Sequence, residues 1–279
     1  MARVELSSAP VRIRPARGWA GINLREVWAY RELLFYLVWR DVQVRYKQTV
    51  IGVAWVVLQP LATAVIFSII FGNFARMPSD HLPYAVFAMA GLTPWNFFSG
   101  ALIRGSASLV ANANLISKVY FPRLIVPAAG ILSGLVDLAV VLVLLFFTML
   151  FFRVVPGPAV LALPLILLIT FGMGLGVSLW LSALNVQYRD VGYLTPVLAQ
   201  MWMYATPVIY ASSLIPEKWR WVYALNPMVG VIDGFRWAVL PGRPAPVAAL
   251  AFSTAVMAFL LVSGALFFRR MEDSFADVV

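Results

Sequence analysis

Long apolar stretches alternate with short polar ones along the chain. Six of the apolar stretches reach the roughly 20 residues that a helix needs to cross a bilayer. They cover residues 50–74, 84–104, 125–152, 159–185, 191–211 and 247–268. The polar stretches between them are too short to fold as independent domains. The pattern predicts an all-α membrane protein with six transmembrane helices.

The positive charges predict which way the spans run. An even number of spans places both termini on one side, and with the termini inside most of the 21 Lys and Arg residues lie in inner stretches. Because the cytoplasmic loops of membrane proteins are rich in Lys and Arg, we expect a multi-pass protein with both termini in the cytoplasm. Residues 1–23 are polar and Arg-rich without an apolar core, which argues against a cleaved signal peptide. The expected organisation is a flexible arm at 1–23, a cytoplasmic interface segment at 24–49, a six-helix domain at 50–268 and a cytoplasmic tail at 269–279.

Three stretches outside the spans have the composition of short helices. Residues 24–38 mix charged with large apolar side chains, which fits an amphipathic helix in the interface plane or a plain N-terminal anchor. Residues 111–123 predict a short helix that stops before Pro122 and either docks on a soluble partner or forms an elbow between spans. Residues 212–246 alternate aromatic residues with Pro and Gly, which fits a pair of short re-entrant helices or a loop resting at the headgroups.

Composition narrows the function classes. The chain is 62% hydrophobic and 12% charged, with a mean hydropathy of +0.87, far from the roughly 45–50% apolar content of soluble domains. The net charge of +9 fits membrane orientation rather than nucleic acid, because basic residues cluster beside the first span. The chain has no Cys, and its one His, His81, falls in an outer loop, so we expect neither thiol chemistry nor a metal centre. No GxxxxGK[ST] motif is present, so we expect no nucleotide hydrolysis on this chain.

Asp137 stands out as an ionisable residue inside a predicted span. A residue of this kind faces the interior of a bundle or a water-filled cavity, and it often marks an ion path. Asp137 could equally bond to a neighbouring Ser or backbone group, or face a subunit interface. Its role stays open at the level of sequence.

Aromatic residues recur along the first and fifth predicted spans. Aromatic rings stack on the C–H faces of sugars, and Tyr and Trp add a polar group, so the set predicts a path along which a glycan slides without tight binding. Each ring alone is also consistent with a lipid-facing position. The candidate channel residues are Trp55, Phe67, Phe71, Phe74, Tyr193, Trp202, Tyr204 and Tyr210, and the candidates at the outer mouth are Pro216, Trp219, Trp221, Asn226 and Pro227.

Four ordered motifs resemble those of the ABC type-2 permeases that export polysaccharides. The first is the run Arg40–Thr49, followed by Gly52, Trp55 and Gln59-Pro60. The others are Asn114–Arg123, Asn185–Val191 and Leu225–Met228. The similarity runs in the family's order over most of residues 24–268.

The resemblance implies a channel-forming subunit that exports a lipid-linked glycan (an O-antigen, a capsule or a teichoic acid) across the bacterial cytoplasmic membrane. It implies a homodimer driven by two copies of a separate ABC ATPase, and the ATP and Mg would be held by that partner rather than by this chain. No catalytic residue is expected here. The residues implied to couple to the ATPase are Arg31, Arg40, Asp41, Arg45, Asn114, Lys118, Tyr120, Phe121, Pro122 and Arg123.

Three other functions compete with this expectation. A membrane-embedded transferase would need acid/base or metal-ligand clusters near the surface, and the sequence shows none. An ion-coupled transporter would need charges besides Asp137. An ABC exporter of a small molecule, drug or lipid is the nearest alternative.

Overall fold

The computed structural model describes residues 24–47, 52–80, 82–272 and 275, and its regular structure there is helical throughout. The α-helices, in chain order, are α1 Leu24–Ala29, α2 Arg31–Lys47, α3 Gly52–Phe67, α4 Tyr84–Ala111, α5 Ala113–Lys118, α6 Ile125–Leu132, α7 Gly134–Phe151, α8 Leu163–Gln187, α9 Asp190–Tyr204, α10 Glu217–Ala224, α11 Pro227–Val239 and α12 Val247–Met271. A π-helical turn, Ser68–Phe74, follows α3, and 3₁₀ turns cover Pro158–Ala162 and Ser212–Leu214. The predicted arm at 1–23, His81, and Gln48 and Thr49 of the first motif lie outside the described residues.

Five helical segments in the described part of the chain are long and apolar enough to cross a membrane. They are Ala54–Phe74, Tyr84–Ala111, Ile125–Phe151, Pro158–Gln187 and Val247–Met271. They match five of the six expected stretches, so the all-α membrane fold is confirmed. The remaining stretch, 191–211, holds the 15-residue α9 and then irregular backbone. At 1.5 Å per residue, α9 covers about 22 Å, less than the roughly 30 Å of hydrocarbon, and its crossing stays a prediction.

The centre of the molecule is a close-packed layer in which α8 lies between α4 and α12. Small residues allow the helices to approach closely, as is common where helices pack within membranes. A Cβ added at Gly176 of α8 would lie 2.7 Å from the Leu260 carbonyl carbon of α12. On the other face, the Ser178 hydroxyl donates to the Ala101 carbonyl of α4 at 3.0 Å. The three helices therefore form a rigid core to which the other elements attach.

In contrast, α3 lies at the edge of the molecule, where it contacts α4 and α7. Among its described side chains Ala64 is buried, whereas Trp55, Val65 and others on the same helix are exposed. The π-helical turn that follows rests on α4, because a Cβ at Gly72 would come within 2.9 Å of the Tyr84 Cβ. One flank of α3 is left open.

The N-terminal helix α2 packs on the molecule through one apolar side. Leu37 is buried in a cluster with Leu109, Phe121 and Phe268. The opposite side of α2 exposes large rings, Phe35, Tyr36 and Trp39. Large exposed rings suit the boundary between headgroups and water, and the placement of this helix in the interface plane stays a prediction.

The segment between α9 and α12 forms the short helices α10 and α11. These helices differ in burial, since α10 has no buried residue among those described, whereas most of α11 is buried. Irregular backbone between α9 and α10 is also buried at Thr206 and Val208. Such backbone is tolerated at membrane depth only where protein or a water-filled cavity satisfies its polar groups. The re-entrant position itself stays a prediction.

Candidate functional site

A cleft of about 1020 Å³ opens between α3 on one side and α4, α7 and α9 on the other. We call it the large cleft. Its walls combine polar, charged and aromatic side chains in a part of the molecule that is otherwise apolar. The lining includes Arg45, Trp55, Gln59, Thr63, Phe67, Asn96, Ser99, Arg104, Asp137, Val141, Gln200 and Met203.

Neutral polar groups follow the length of the large cleft. Gln59 on α3, Asn96 on α4 and Gln200 on α9 are exposed in the single chain. Thr63 and Ser99 add hydroxyl groups to the same walls. An amide facing lipid would lack hydrogen-bond partners, which costs several kcal/mol (about 4–8 on a cyclohexane scale). The cleft therefore suits water, a polar cargo or another protein surface, rather than lipid tails.

Two of the predicted channel aromatics line the large cleft. Trp55 is 61% exposed and presents its indole to the cleft, and Phe67 lies further along α3. Phe71 packs edge-to-face on Phe67 with ring centroids 5.5 Å apart, and Phe74 in the π-helical turn is 80% exposed. These last two rings lie outside the lining, but they extend the same edge of the molecule.

A charged cluster forms one wall of the large cleft, where α2 leads toward α3. Asp137 of α7 accepts from Arg45 and from the Tyr46 hydroxyl, the latter at 2.5 Å. Arg104 of α4 lies on the other side of this carboxylate, with Nη1 3.7 Å from Oδ2. Burial, followed by the bond to Asp137, raises the pKa of Tyr46 to about 12, so the phenol remains a donor at neutral pH.

The charged cluster gives the contacts of Asp137, whose role the sequence left open, and adds Arg104, which the sequence analysis did not single out. Asp137 is tied to the N-terminal charged run by Arg45 and Tyr46, and Ser133 lies 3.5 Å from Arg45. Arg104 was missed as a site residue because it falls at the predicted end of the second span. The signal was an Arg on a helix whose preceding turns are apolar, since such a residue requires a partner or a polar cavity.

A second cleft of about 600 Å³ lies beside α10, and we call it the small cleft. It brings predicted channel residues and predicted outer-mouth residues together. Its lining includes Trp202, Tyr210, Pro216, Trp219, Val222, Tyr223, Leu225, Asn226 and Pro227. Tyr193, which is 82% exposed, Tyr204 and Trp221 lie outside the linings of both clefts.

Trp202 is held from two directions in the small cleft. Its ring meets Phe98 edge-to-face at 5.2 Å, and its indole nitrogen donates to the Asn226 side-chain oxygen at 3.0 Å. Asn226 also caps α11, accepting from the Met228 amide at 3.1 Å. Its own amide group donates to Thr206 Oγ1 at 2.9 Å. Asn226 is therefore primarily a positioning residue for the irregular end of α9.

Arg236 of α11 is fully buried and satisfies the irregular backbone that follows α9. It donates to the carbonyls of Pro207 at 2.5 Å, Val208 at 2.7 Å and Tyr210 at 3.2 Å. Its guanidinium also lies 3.7 Å from the centre of the Phe87 ring, a cation–π contact. Sequence reasoning missed this residue, although an Arg within an apolar helix between two Pro-containing turns was the signal.

The residues implied to couple to a partner divide into buried and exposed groups. Phe121 is buried, and the Arg123 amide donates to Glu272 at 3.2 Å, which fixes the loop after α5. Asn114, Lys118 and Tyr120 are exposed. These three side chains form a surface that the fold holds in place without covering.

The two predicted coupling segments meet in space. Arg40 of α2 pairs with Asp41 at 2.7 Å and donates to the Asn112 side-chain oxygen at 2.8 Å, just before α5 begins. Arg31 is exposed near the start of α2, with its guanidinium 5.9 Å from the Trp28 ring centre. Pro122 lines a narrow pocket against the end of α12. Arg40 therefore joins α2 to the residue that directly precedes α5.

Metal binding has no support in the described residues, where no group of three or more His, Cys, Asp or Glu side chains could hold an ion.

Comparison with known proteins gives matches over most of the chain. The family model described as ABC-2 type transporter matches residues 32–240. The chain is 30% identical over 250 residues to the O-antigen export system permease protein RfbA of Klebsiella pneumoniae, covering 89% of this chain and 95% of that protein. It is 28% identical over 258 residues to the RfbA protein of Myxococcus xanthus, covering 92% and 98%. It is 23% identical over 237 residues to the polysialic acid transport protein KpsM of Escherichia coli, covering 84% and 92%.

Proposed function

Because the chain belongs to the ABC-2 type transporter family, we propose that it is the channel-forming membrane subunit of an ATP-driven exporter of a lipid-linked polysaccharide. O-antigen is the substrate we favour, since relatives of 28–30% identity carry that name. The working assembly we propose has two copies of this chain and two copies of a separate ABC ATPase. Its place is the bacterial cytoplasmic membrane, with both termini in the cytoplasm.

The single observation that carries the proposal is the mixed lining of the large cleft. Side-chain amides such as Gln59, Asn96 and Gln200 match the hydroxyl groups of a sugar chain, which both donate and accept hydrogen bonds. Trp55 and Phe67 add flat faces for stacking. An exporter of an apolar drug or lipid would be expected to have an apolar cleft instead.

The open side of the large cleft supports the homodimer. Exposed amides at membrane depth need water or protein beside them, and α3 offers an unpacked flank with Trp55 and Val65 exposed. A second copy facing this flank would enclose the cleft as a closed path. The small cleft, lined by Trp202, Trp219 and Tyr223, would then lie near the exit.

The surface formed by α2 and α5 supports the ATPase partner. Exposed Lys118 ends α5, and exposed Tyr120 lies in the loop that follows, which Arg123 anchors. Arg40 connects Asn112, at the other end of α5, to the charged run of α2. The sequence itself carries no phosphate-binding P-loop, so hydrolysis on a second chain accounts for the energy source.

Reconstitution in proteoliposomes tests the function. The chain is purified alone and together with a candidate ABC ATPase subunit from the same organism, and both preparations receive a fluorescent lipid-linked glycan. We expect no ATP hydrolysis by the chain alone, and ATP-dependent movement of the glycan to the far leaflet by the complex. The matched control is the same complex with the P-loop Lys of the ATPase replaced, which should not transport. ATP hydrolysis by the chain alone, or transport of an apolar dye in preference to the glycan, would overturn the proposal.

A further inference from the structure

The charged cluster on the wall of the large cleft carries more positive than negative charge. Among the described residues that line the cleft, Arg45 and Arg104 bring two guanidinium groups against the one carboxylate of Asp137. Their side chains are 31%, 24% and 28% exposed, respectively, so each is open to the cleft. A net positive group in an apolar setting of low dielectric attracts an anion more strongly than it would in water.

Arg104 is held so that its terminal nitrogens are available to the cleft. Its Nε donates to the Gly130 carbonyl at 3.1 Å. Its guanidinium rests against two glycines, since a Cβ at Gly134 would lie 1.9 Å from Nη2 and a Cβ at Gly100 would lie 2.8 Å from Nη1. The two terminal nitrogens make no hydrogen bond to any residue that the structure describes, and the nearest carboxylate oxygen is 3.7 Å away. The packing thus fixes the direction of two Arg104 nitrogen donors that have no hydrogen-bond acceptor among the described residues.

The chemistry of the donors suits an oxyanion, and a phosphate group is the one that a lipid-linked glycan would bring. A guanidinium presents a planar fork that matches the oxygens of phosphate. The cluster stands at one end of the cleft, and the neutral amides and aromatic rings continue from it along α3 and α4. This order fits a ligand with an anionic group at one end and uncharged sugars beyond it.

We propose that Arg45 and Arg104 bind the phosphate or diphosphate that links the glycan to its lipid, and that Asp137 holds the two cations in place while the cleft is empty. This inference rests on the proposed function, because it names the part of the substrate that the charged cluster would hold. It also assigns Asp137 the role of an internal counter-anion that the incoming phosphate displaces. No bond is made or broken in this step.

Isothermal titration in nanodiscs of phosphatidylcholine tests the assignment with the full-length chain. The probes are farnesyl diphosphate, farnesol and inorganic diphosphate. We expect saturable binding of farnesyl diphosphate, none of farnesol beyond partitioning into the lipid, and weaker binding of inorganic diphosphate. Equal affinity for inorganic and farnesyl diphosphate would overturn the lipid assignment in favour of a free anion.

Opposite charge changes separate ligand binding from a purely structural role. Arg104→Gln lowers the cluster's charge to zero and should weaken binding at least about tenfold, because it removes charge-assisted hydrogen bonds. Asp137→Asn keeps the shape but raises the charge, and it should bind as tightly as the wild type or about threefold more tightly. Weakening by both variants to the same degree would contradict the proposal. The control is Arg220→Gln, at an exposed site on α10, which should bind like the wild type.

Further measurements keep the outcome clear. If Arg104→Gln does not fold, Arg104→Lys replaces it, and the loss of the planar fork should weaken binding by about threefold. Glycan export is measured for the same variants in proteoliposomes. Suppose that the wild type exports the glycan and that Arg104→Gln binds the probe and exports the glycan equally well. This inference is then wrong, and the proposed function stands. If the probe binds through Arg104 but no glycan is exported, the proposed function is wrong and the anion site at Arg104 stands.

Discussion

Asn226 joins three parts of the molecule through one amide group. Its oxygen caps α11 at the Met228 amide and accepts from the Trp202 indole, and its nitrogen donates to Thr206. Asn226 is one of the predicted outer-mouth residues, and the structure shows which groups it contacts. It positions the aromatic wall of the small cleft rather than standing free to meet a ligand.

Replacing Asn226 by Ala should destabilise the protein by about 2–4 kcal/mol. About 1 kcal/mol reflects the lost cap, and the rest reflects partners left without a hydrogen bond. The thermal midpoint in detergent, followed by tryptophan fluorescence, measures the change. Asn114→Ala is the matched control at an exposed site, where a surface change should stay within about 0.5 kcal/mol. Equal midpoints for the two variants would contradict the positioning role of Asn226.

At the scale of elements, α11 acts as a clamp on the irregular backbone after α9. Irregular backbone has carbonyls without the partners that a helix would supply, and Arg236 donates to three of those that follow α9. Phe87 of α4 covers the flat face of the same guanidinium. The irregular backbone after α9 is therefore stabilised by specific contacts that link α4, α9 and α11.

Arg236→Gln should destabilise the protein by about 3–5 kcal/mol, because several buried carbonyls lose their donors at once. The same fluorescence melt gives the midpoint. Arg220→Gln changes the same residue type at an exposed ion pair with Glu217, which is expected to contribute about 0–1 kcal/mol. A midpoint for Arg236→Gln that lies within error of Arg220→Gln would show that the clamp does not stabilise the break.

The short helix α5 is the element on which coupling to the ATPase can be tested. Replacing Lys118 and Tyr120 together by Ala removes exposed side chains while the anchors Phe121 and Arg123 remain. We expect the amount of ATPase that co-purifies to fall about tenfold, because one or two hot-spot contacts are lost. Membrane insertion of the chain should be unchanged. Val247→Ala, at an exposed site at the start of α12, is the control. Unchanged complex formation and export would count against a docking role.

At the scale of the whole molecule, the large cleft separates α3, at the edge, from α4, α7 and α9, and α4 in turn packs into the close layer with α8 and α12. The chain contains no Cys, so single Cys residues can report on which surfaces meet water. Exposed apolar positions on α8 and α12 provide the contrast, for example Leu168 and Phe259, which we expect to face lipid.

A membrane-impermeant maleimide should label Gln59→Cys and Asn96→Cys in the large cleft. It should label Leu168→Cys and Phe259→Cys at least about tenfold more slowly, because a thiolate forms in water and not in hydrocarbon. Mass spectrometry of the intact protein in nanodiscs measures the fraction labelled over time. Equal rates at all four positions would mean that the cleft is filled by lipid.

Much of the fold follows from the sequence because the apolar stretches are long. Five predicted spans coincide with helices that can cross a membrane, and the helix at Ala113–Lys118 lies within the stretch predicted to be helical before Pro122. Span boundaries were less certain, as α4 extends to Ala111 beyond the predicted end at 104. Hydropathy falls at Arg104, whereas the helix continues because its polar groups find partners in the folded protein.

The site was predictable only in part, because residues that are far apart along the chain come together in the folded protein. Trp202 and Asn226 were singled out separately, and their hydrogen bond across 24 positions emerges only from the fold. The same holds for Asp137, whose partners come from Arg45 and Tyr46 more than 90 positions earlier. Residue types reveal what chemistry is available, but tertiary packing decides which groups meet.

The order of synthesis gives the ion pair between Arg45 and Asp137 a role in biogenesis. Arg45 leaves the ribosome 92 residues ahead of Asp137. We therefore expect the Arg45 guanidinium to be present at the membrane before the helix that carries the Asp137 carboxylate is inserted. A lone Asp at a helix centre opposes insertion by up to about 3.5 kcal/mol, and a neighbouring guanidinium reduces that opposition. We therefore expect that a chain shortened past Arg45 would integrate this later helix less efficiently.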